Sequence, residues 1–298
     1  MKFQHGKGIL YASTATVFFA TSPILTLLIK GISPGGITFM RMFLGAVFVF
    51  ILAKLKRINL SINKKNIKKF LLYGFIAAMH FLFYIWSLFY TSIAHSLSIV
   101  YTAPIFVTLF AWFFLKEPIK VYKFVGIVVV VMGIAILTGF EPEINVKSFI
   151  GDFMALISAV CFGLYSVAGR MERENYPLLK YAFWLYLSAS AFLFPFALNT
   201  IELSAVRSSI LPILLLALLP TTLGHTLYNA SLRYTHPTYA NLISTQEVTG
   251  GIILGYFVLG QIPSINSIIG CIIMLIGLAI VLLNNIPIYG NIRSEKEI

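Results

Sequence analysis

Charged and titratable side chains inside long apolar stretches are the residues of this sequence best suited to chemistry. Glu247 is the deepest acid, ten residues inside its predicted helix, and Arg41 also lies within an apolar stretch. His80 and His225 fall in the stretches MHFLFYIW and GHTLYNA. An ionisable group at the centre of a membrane helix costs about 2.5–3.5 kcal/mol on insertion scales, so such groups tend to face a cavity or a partner. These four residues therefore indicate a polar interior.

Each of these residues has a functional and a structural interpretation. Glu247 would carry a proton or neutralise a substrate amine, or else be a protonated or hydrogen-bonded structural acid. Arg41 would bind a substrate carboxylate through its planar, two-pronged guanidinium, or fix the packing of its helix. His80 and His225 would shuttle protons or bind substrate, or be satisfied core histidines. The sequence leaves both interpretations open for all four.

Polar aromatic and amide side chains also lie in or near the middle of the apolar stretches. Together with the four residues above, they could line a pocket. They would offer hydrogen bonds and ring faces to an amphipathic solute. We expect the substrate-binding residues to come from the set Arg41, His80, Tyr84, Tyr101, Tyr165, His225, Tyr228, Asn229, Gln246 and Glu247. A cavity lined in this way would suit an amino acid or another small zwitterion better than a highly charged metabolite.

No catalytic constellation accompanies these residues. The sequence lacks His-x-x-Glu-His, Gly-x-Ser-x-Gly and a phosphate-binding loop, so we expect no catalytic residue, no metal, no cofactor and no ATP-driven transport by this chain alone. A membrane-embedded enzyme acting on lipid would need a cluster of His, Asp or Glu at one membrane face. A non-transporting membrane scaffold is a third class, and it would leave Arg41 and Glu247 unexplained.

The overall composition excludes a soluble protein. Of 298 residues, 59% are hydrophobic and only 11% are charged, whereas soluble chains have about 45–50% and about 25%. A helix that crosses the roughly 30 Å bilayer core needs about 20 mostly apolar residues. Ten stretches satisfy this length: 8–29, 34–53, 70–90, 93–115, 121–139, 149–169, 179–198, 210–232, 237–259 and 263–283. The sequence therefore predicts an all-α polytopic membrane protein with ten transmembrane helices, the first of them not a cleaved signal peptide.

The positions of Lys and Arg predict the orientation. If the N-terminus is cytoplasmic, 18 of the 22 Lys and Arg residues fall in inside loops, and only Lys30, Lys147 and Arg207 fall outside. This asymmetry follows the positive-inside rule. We therefore expect both termini, and the basic loop 54–69, in the cytoplasm. The net charge of +12 then reflects membrane topology, and we expect no nucleic-acid partner.

Two halves of the chain repeat one another, with the segment 94–137 resembling the segment 238–281. A shift of 144 residues pairs Tyr84 with Tyr228, Glu117 with Gln261, Gly126 with Gly270 and Gly133 with Gly277, and a shift of 143 pairs Gly8 with Gly151 and Phe19 with Phe162. Five helices in each half force the second copy through the membrane in the opposite sense. Many secondary transporters have such inverted repeats, with the substrate site near the midplane. Duplication for stability alone is the alternative.

The motif TAPIFVTLFAWFFLKEPI at 102–119, followed by glycines at 126 and 133, resembles the EamA family of the drug/metabolite transporter superfamily. The second half repeats it as STQEVTGGIILGYFVLGQIP, although Glu247 precedes valine instead of proline and Gln261 replaces the closing glutamate. Arg41, in ITFMRMFLGA, is similar to an arginine common in the second helix of that family. The resemblance implies two repeats, 1–139 and 149–283, and a tail at 284–298.

That resemblance implies a central cavity and the transport of small metabolites, often amino acids. We therefore expect a secondary transporter in the cytoplasmic membrane of a prokaryote, working by alternating access. A carrier of drugs, nucleosides or cationic compounds is the alternative. Its partners would be a small-molecule substrate and the lipid bilayer, with protons as a candidate coupling ion. The sequence leaves a monomer and a homodimer equally open.

Overall fold

The computed structural model describes residues 2–91, 93–121, 123–138, 146–198, 201–260 and 262–283. Within these residues the backbone forms helices and connecting turns, and it contains no strand. The α-helices of the first half are α1 (Lys2–Phe19), α2 (Ser22–Leu28), α3 (Pro34–Leu55), α4 (Lys64–Tyr90), α5 (Ile93–Val100), α6 (Ala103–Phe110) and α7 (Lys123–Thr138). Those of the second half are α8 (Val146–Met171), α9 (Leu178–Ala197), α10 (Leu203–Ser208), α11 (Ile210–Leu216), α12 (Thr226–Ser231), α13 (Pro237–Ser244), α14 (Glu247–Leu259) and α15 (Ile265–Leu283).

Seven helical segments of the described chain are long and apolar enough to cross a membrane. They are Gly6–Leu28, Pro34–Leu55, Lys64–Tyr90, Ser96–Leu115, Val146–Met171, Leu178–Ala197 and Ile210–Ser231. Two further apolar helices, Lys123–Leu137 and Ile268–Val281, are shorter. The chain is therefore an all-α protein with several membrane-spanning helices. The predicted tail at 284–298 and Gln261 lie outside the described residues.

Three of the predicted continuous helices are broken, and a threonine stands at each break. The hydroxyls of Thr21, Thr102 and Thr245 each donate to the carbonyl oxygen three residues earlier, at 2.7 Å. This local bond competes with the helical hydrogen bond at that position. Pro23 and Pro104, in the first turns of the following helices, donate no backbone hydrogen bond and are tolerated there. The predicted helices 8–29, 93–115 and 237–259 are therefore each interrupted near the middle.

Two π-helical segments adjoin these helices, at Ala111–Leu115 and Ala217–His225. Pro220 lies inside the second segment. There, the hydroxyls of Thr221 and Thr222 donate to the carbonyl oxygens five residues earlier, at 2.9 and 2.8 Å. Proline removes one regular helical hydrogen bond, and the wider turn lets side-chain hydroxyls satisfy the freed carbonyls. This segment places Thr221 and His225 in the protein interior.

The basic turns meet at one end of the bundle. We define the basic end by the turns 56–63, 116–117, 172–177 and 233–236. Arg170 Nε lies 3.1 Å from Glu117 Oε2, and Trp184 Nε1 donates to the carbonyl oxygen of Leu60 at 2.7 Å. Arg233 donates to the carbonyl oxygen of Arg173 at 2.6 Å. These contacts bring the four turns to the same end of the bundle.

Other described turns lie at the opposite end. The backbone N–H of Lys30 donates to Ser209 Oγ at 3.3 Å. A Cβ built on Gly151 would lie 2.9 Å from the backbone nitrogen of Thr91. Successive apolar segments, as far as their connections are described, therefore run in alternating directions between the two ends.

Four glycines let α7 and α15 cross with their backbones in contact. A Cβ on Gly126 would lie 2.8 Å from the Gly277 carbonyl oxygen, and one on Gly133 would lie 2.8 Å from that of Gly270. The reciprocal distances, from Gly277 to Gly126 and from Gly270 to Gly133, are 2.8 and 2.6 Å. Close backbone approach at small residues is a principal source of attraction between helices in lipid. The seven-residue glycine spacing of both helices therefore serves this crossing.

We predict that Gly133→Ala destabilises the protein by about 1–3 kcal/mol, the usual cost of overpacking. Its methyl group would lie 2.7 Å from the backbone nitrogen of Met274, which cannot rotate away. The measurement is the thermal unfolding midpoint of the purified protein in detergent. Gly6→Ala is the matched control, because no atom lies within 4 Å of its added carbon. Equal midpoints for the two variants would contradict the close crossing.

Candidate functional site

One buried cavity gathers charged and aromatic side chains from both halves of the chain. Its walls come from α1 to α5, α8, α14 and the π-helical segment Ala217–His225. The lining residues are Phe19, Ser22, Arg41, His80, Phe81, Tyr84, Leu97, Val100, Tyr101, Phe162, His225 and Glu247. The cavity leaves about 20 Å³ for the centre of a water-sized molecule, which is room for roughly one water. In this conformation the site is closed around its own side chains.

Glu247 is the first residue of α14, at the break that separates it from α13. Its side chain is buried, and two phenols reach it: Tyr84 Oη donates to Oε1 at 3.2 Å, and Tyr101 Oη donates to Oε2. The start of a helix presents unpaired N–H groups and favours negative charge. The position predicted as mid-helix is therefore a helix N-terminus, and its surroundings suit a carboxylate acceptor.

Arg41, on α3, is 1% exposed and bonds to neutral groups. Its Nε donates to Thr221 Oγ1 at 2.7 Å and its Nη1 to Ser22 Oγ at 3.2 Å. The guanidinium carbon lies 4.7 Å from the ring centroid of Phe81, a cation–π contact. A guanidinium has five N–H donors, and these hydroxyls engage two of its three nitrogens. Arg41 thus presents a positive charge to the cavity that Glu247 also lines.

The two histidines have different surroundings. His80 Nδ1 lies 2.9 Å from Ser158 Oγ and 3.1 Å from the Ser158 carbonyl oxygen, and its ring stacks on Phe162 at 4.6 Å. His225 packs on Phe19 at 4.4 Å, and its Nδ1 has no hydrogen-bond partner among the described residues. The structural interpretation therefore fits His80. The imidazole of His225 keeps a free polar atom beside the cavity.

A second polar layer lies one turn closer to the basic end. Asn229 Nδ2 bonds to Tyr165 Oη and to the His225 carbonyl oxygen, the latter at 2.8 Å. Tyr228 Oη pairs with Ser166 Oγ at 2.7 Å. Of the predicted substrate-binding residues, Tyr165, Tyr228 and Asn229 thus pack beneath the cavity and do not line it. They close the cavity on its basic-end side.

Gln246 is separated from the central cavity. It lines a different groove with Ser13 and Thr16 of α1. Its Oε1 accepts a hydrogen bond from Thr249 Oγ1 at 3.0 Å. Because the chain turns at Thr245 and Gln246 before α14 begins, adjacent residues 246 and 247 point to different surroundings. The structure therefore does not bring Gln246 together with the other predicted site residues.

Sequence reasoning missed several lining residues. Ser22 contacts Arg41, and the aromatic walls include Phe19, Phe81 and Phe162. Phe19 and Phe162 occupy equivalent positions of the two halves; Phe19 packs at a tilt on His225, and Phe162 stacks on His80. The sequence repeat could have identified these two phenylalanines. In transporters built of inverted repeats, equivalent and interrupted helices of the two halves form the substrate site. Among the described residues no group of three His, Cys, Asp or Glu could hold a metal ion.

Comparison with known proteins identifies the family. The model of the EamA-like transporter family matches residues 6–139 and 149–283, which is both halves of the chain. The chain belongs to the EamA-like transporter family.

Relatives and a solved structure agree with that assignment. An uncharacterized transporter of Clostridium kluyveri is 24% identical to this EamA-like chain over 91% of each protein. The uncharacterized transporter YoaV of Bacillus subtilis is 25% identical over 53% of this chain, and the alignment spans only about half (55%) of YoaV. The alignment to one crystal structure covers 94% of this chain and 97% of the other chain, with a TM-score of 0.79 at 18% sequence identity. The two proteins therefore share a fold.

We predict that the two buried charges of this EamA-like site are energetically coupled. Arg41→Met and Glu247→Gln each leave one charge uncompensated in the interior, whereas the double variant leaves none. We therefore expect the double variant to be more stable than the sum of the single effects, by about 0.5–3 kcal/mol. Unfolding midpoints of the four proteins in detergent measure this coupling. Strict additivity would show that the two charges do not interact.

Proposed function

We propose that this EamA-like protein is a secondary transporter of small zwitterionic metabolites, with amino acids as the leading class. The observation that carries the proposal is the central cavity, which Arg41 and Glu247 both line. A guanidinium binds a carboxylate in a two-pronged geometry, and a buried carboxylate attracts an ammonium group. An α-amino acid offers both groups a few ångströms apart.

The tight cavity indicates how binding proceeds. With room for roughly one water, the present conformation is closed, and substrate enters when one end of the bundle opens. Tyr84 and Tyr101 satisfy the Glu247 carboxylate in the absence of substrate, and a substrate ammonium would replace one of these donors. Ser22 and Thr221 satisfy Arg41 in the same way. These neutral partners stabilise the empty site while costing little to displace.

Reciprocal contacts support an inverted pair of repeats, 1–139 and 149–283. The glycine contacts between α7 and α15 pair 126 with 277 and 133 with 270, which are the same four residues that the 144-residue shift relates. Gly8 approaches Thr235 as Gly151 approaches Thr91. The breaks before α6 and α14 also lie 144 residues apart. Two antiparallel copies that exchange conformations turn an opening at one end into an opening at the other.

We place this carrier in the cytoplasmic membrane of a prokaryote, with ten spans and both termini in the cytoplasm. The alternating turns and the basic end support this orientation, because Lys and Arg favour cytoplasmic loops. Relatives named as transporters in Bacillus subtilis and Clostridium kluyveri support the location. The same relatives, named as transporters, favour a carrier over a lipid-modifying enzyme.

The decisive experiment is counterflow in proteoliposomes with three related solutes: a radiolabelled amino acid, its carboxamide and its N-acetyl derivative. We predict saturable exchange of the amino acid and at least tenfold weaker exchange of both derivatives, because each derivative loses one charge. Arg41→Met should abolish the preference for the amino acid over its carboxamide.

The control for this experiment is Glu174→Gln, which removes an exposed acid of the basic end. Exchange of a nucleoside or a cationic drug with no exchange of amino acids would assign the alternative substrate class. No exchange of any solute would contradict the transporter assignment itself.

We further propose that protons couple to transport through Glu247. Glu247→Gln keeps the shape of the side chain and one acceptor oxygen for the two tyrosines, but it can neither lose nor carry a proton. We predict that this variant loses uphill uptake driven by a pH gradient. Measuring uptake with and without a gradient tests this, with Glu174→Gln as the control. A Gln variant that still concentrates substrate under a pH gradient would remove Glu247 from the coupling.

A further inference from the structure

The turn that follows α6 and its π-helical segment has a backbone form that recurs in the second half. Lys116 has φ 56°, and Gly260, which is 144 residues later, has φ 67°. Glycine adopts this left-handed conformation freely, whereas a lysine there is strained. The first half thus uses an unfavourable residue for the same turn. The strained turn positions Glu117, the next residue, at the basic end.

Glu117 joins both halves of the chain through an ionic cluster. Arg170 donates to its carboxylate from Nε at 3.1 Å and from Nη2 at 3.3 Å, and Arg173 Nη1 lies 3.8 Å from it. Arg170 also donates from Nη1 to the carbonyl oxygen of Leu232 at 2.9 Å. The end of the fourth apolar segment is therefore bonded to the end of α8 and to the turn that follows α12.

His236 strengthens the same junction through a fixed tautomer. Burial lowers the pKa of His236, so its imidazole is neutral near pH 7. Its Nδ1 accepts from the Thr238 backbone N–H at 3.2 Å, which leaves the proton on Nε2 to donate to the Glu117 carbonyl oxygen at 2.8 Å. Both the side chain and the backbone of Glu117 are therefore bonded to the second half.

In the sequence, the opposite end lacks counterparts of Glu117 and Arg170. The repeat register places Gln261 at the position of Glu117, Leu27 at that of Arg170 and Lys30 at that of Arg173. Neither Gln261 nor Leu27 is charged, so the bidentate Arg–carboxylate pair cannot form there. The two ends of a nearly symmetric carrier therefore close with unequal interactions.

We propose that Glu117, Arg170 and Arg173 form an ionic latch that holds the basic end closed, and that the absence of a counterpart biases the carrier toward opening at the opposite end. This inference rests on the proposed alternating-access function. Breaking the latch should shift the population toward a state open at the basic end, because a conformational equilibrium follows the interactions present in only one state. The latch residues are 15–28% exposed, so salt should weaken the pair.

Two single-cysteine reporters read the two ends separately in a Cys161→Ser/Cys271→Ser background. Ser166→Cys lies one helical turn from the cavity toward the basic end, and Ser96→Cys lies one turn toward the opposite end. Both serines are fully buried, so each thiol reacts with a water-soluble maleimide only when its own end opens. The readout is the ratio of the two labelling rates, measured on purified protein in detergent.

We expect Glu117→Gln to raise the ratio of Ser166→Cys to Ser96→Cys labelling by three- to tenfold. Raising NaCl from 0.05 to 0.5 M should raise the ratio in the otherwise unchanged protein and leave it constant in the Glu117→Gln variant. The matched control is Glu174→Gln, an acid that is 83% exposed and pairs with the same Arg173 at 3.4 Å. This control should leave the ratio unchanged.

An unchanged ratio in Glu117→Gln, or an equal rise at both reporters, would overturn the latch. The same increase in Glu174→Gln would also overturn it, since general loss of charge would then explain the effect. Because labelling needs no substrate, failure of the latch is distinct from failure of the proposed function, which appears as absent counterflow. Size-exclusion profiles identify variants that do not fold, and Glu117→Asp then replaces Glu117→Gln, with a smaller rise expected.

Discussion

An arginine and a glutamate buried in one apolar bundle, without a direct bond between them, constrain the rest of this structure. Each charge would be costly alone in a low-dielectric interior, and each is stabilised by neutral hydroxyls. Arg41 bonds to Thr221 and Ser22, and Glu247 accepts from two tyrosines. These arrangements require a π-helical segment at Thr221 and a helix break just before Glu247. Irregular backbone therefore occurs beside Arg41 and Glu247, where hydroxyl groups must reach these two side chains.

The interior contacts of the two halves follow the sequence repeat, whereas the turns that close the two ends differ in charge. The glycine crossing of α7 and α15 is reciprocal, and the equivalent residues Phe19 and Phe162 each pack on a histidine beside the cavity. The closing turns are alike in backbone but unlike in charge, because Glu117 and Gln261 occupy equivalent positions. In the proposed alternating-access carrier, the repeat would give one bundle two related conformations. The proposed latch at the basic end would then favour one of them.

The sequence predicted much of this architecture. Apolar length located most of the helices, and the placement of Lys and Arg anticipated that the basic turns meet at one end. It also selected Arg41, His80, Tyr84, Tyr101, His225 and Glu247, which all line the cavity.

The sequence did not predict the direction in which side chains near the helix breaks point. Apolar runs do not reveal a break such as that at Thr245, where one threonine hydroxyl bonds a carbonyl three residues back. That break turns Gln246 away from Glu247. Ser22 and Phe81 were missed because a serine and a phenylalanine in an apolar helix become site residues only through the helices packed against them.

In the proposed alternating access, one polar cavity opens in turn to the two ends of the bundle. Electron–electron distances between spin labels test it directly, with one pair at Lys120 and Glu174 of the basic end and another at Lys30 and Lys147 of the opposite end. Adding an amino-acid substrate should lengthen the distance in one pair while shortening it in the other. Distances that stay fixed, or that lengthen together at both ends, would contradict the claim.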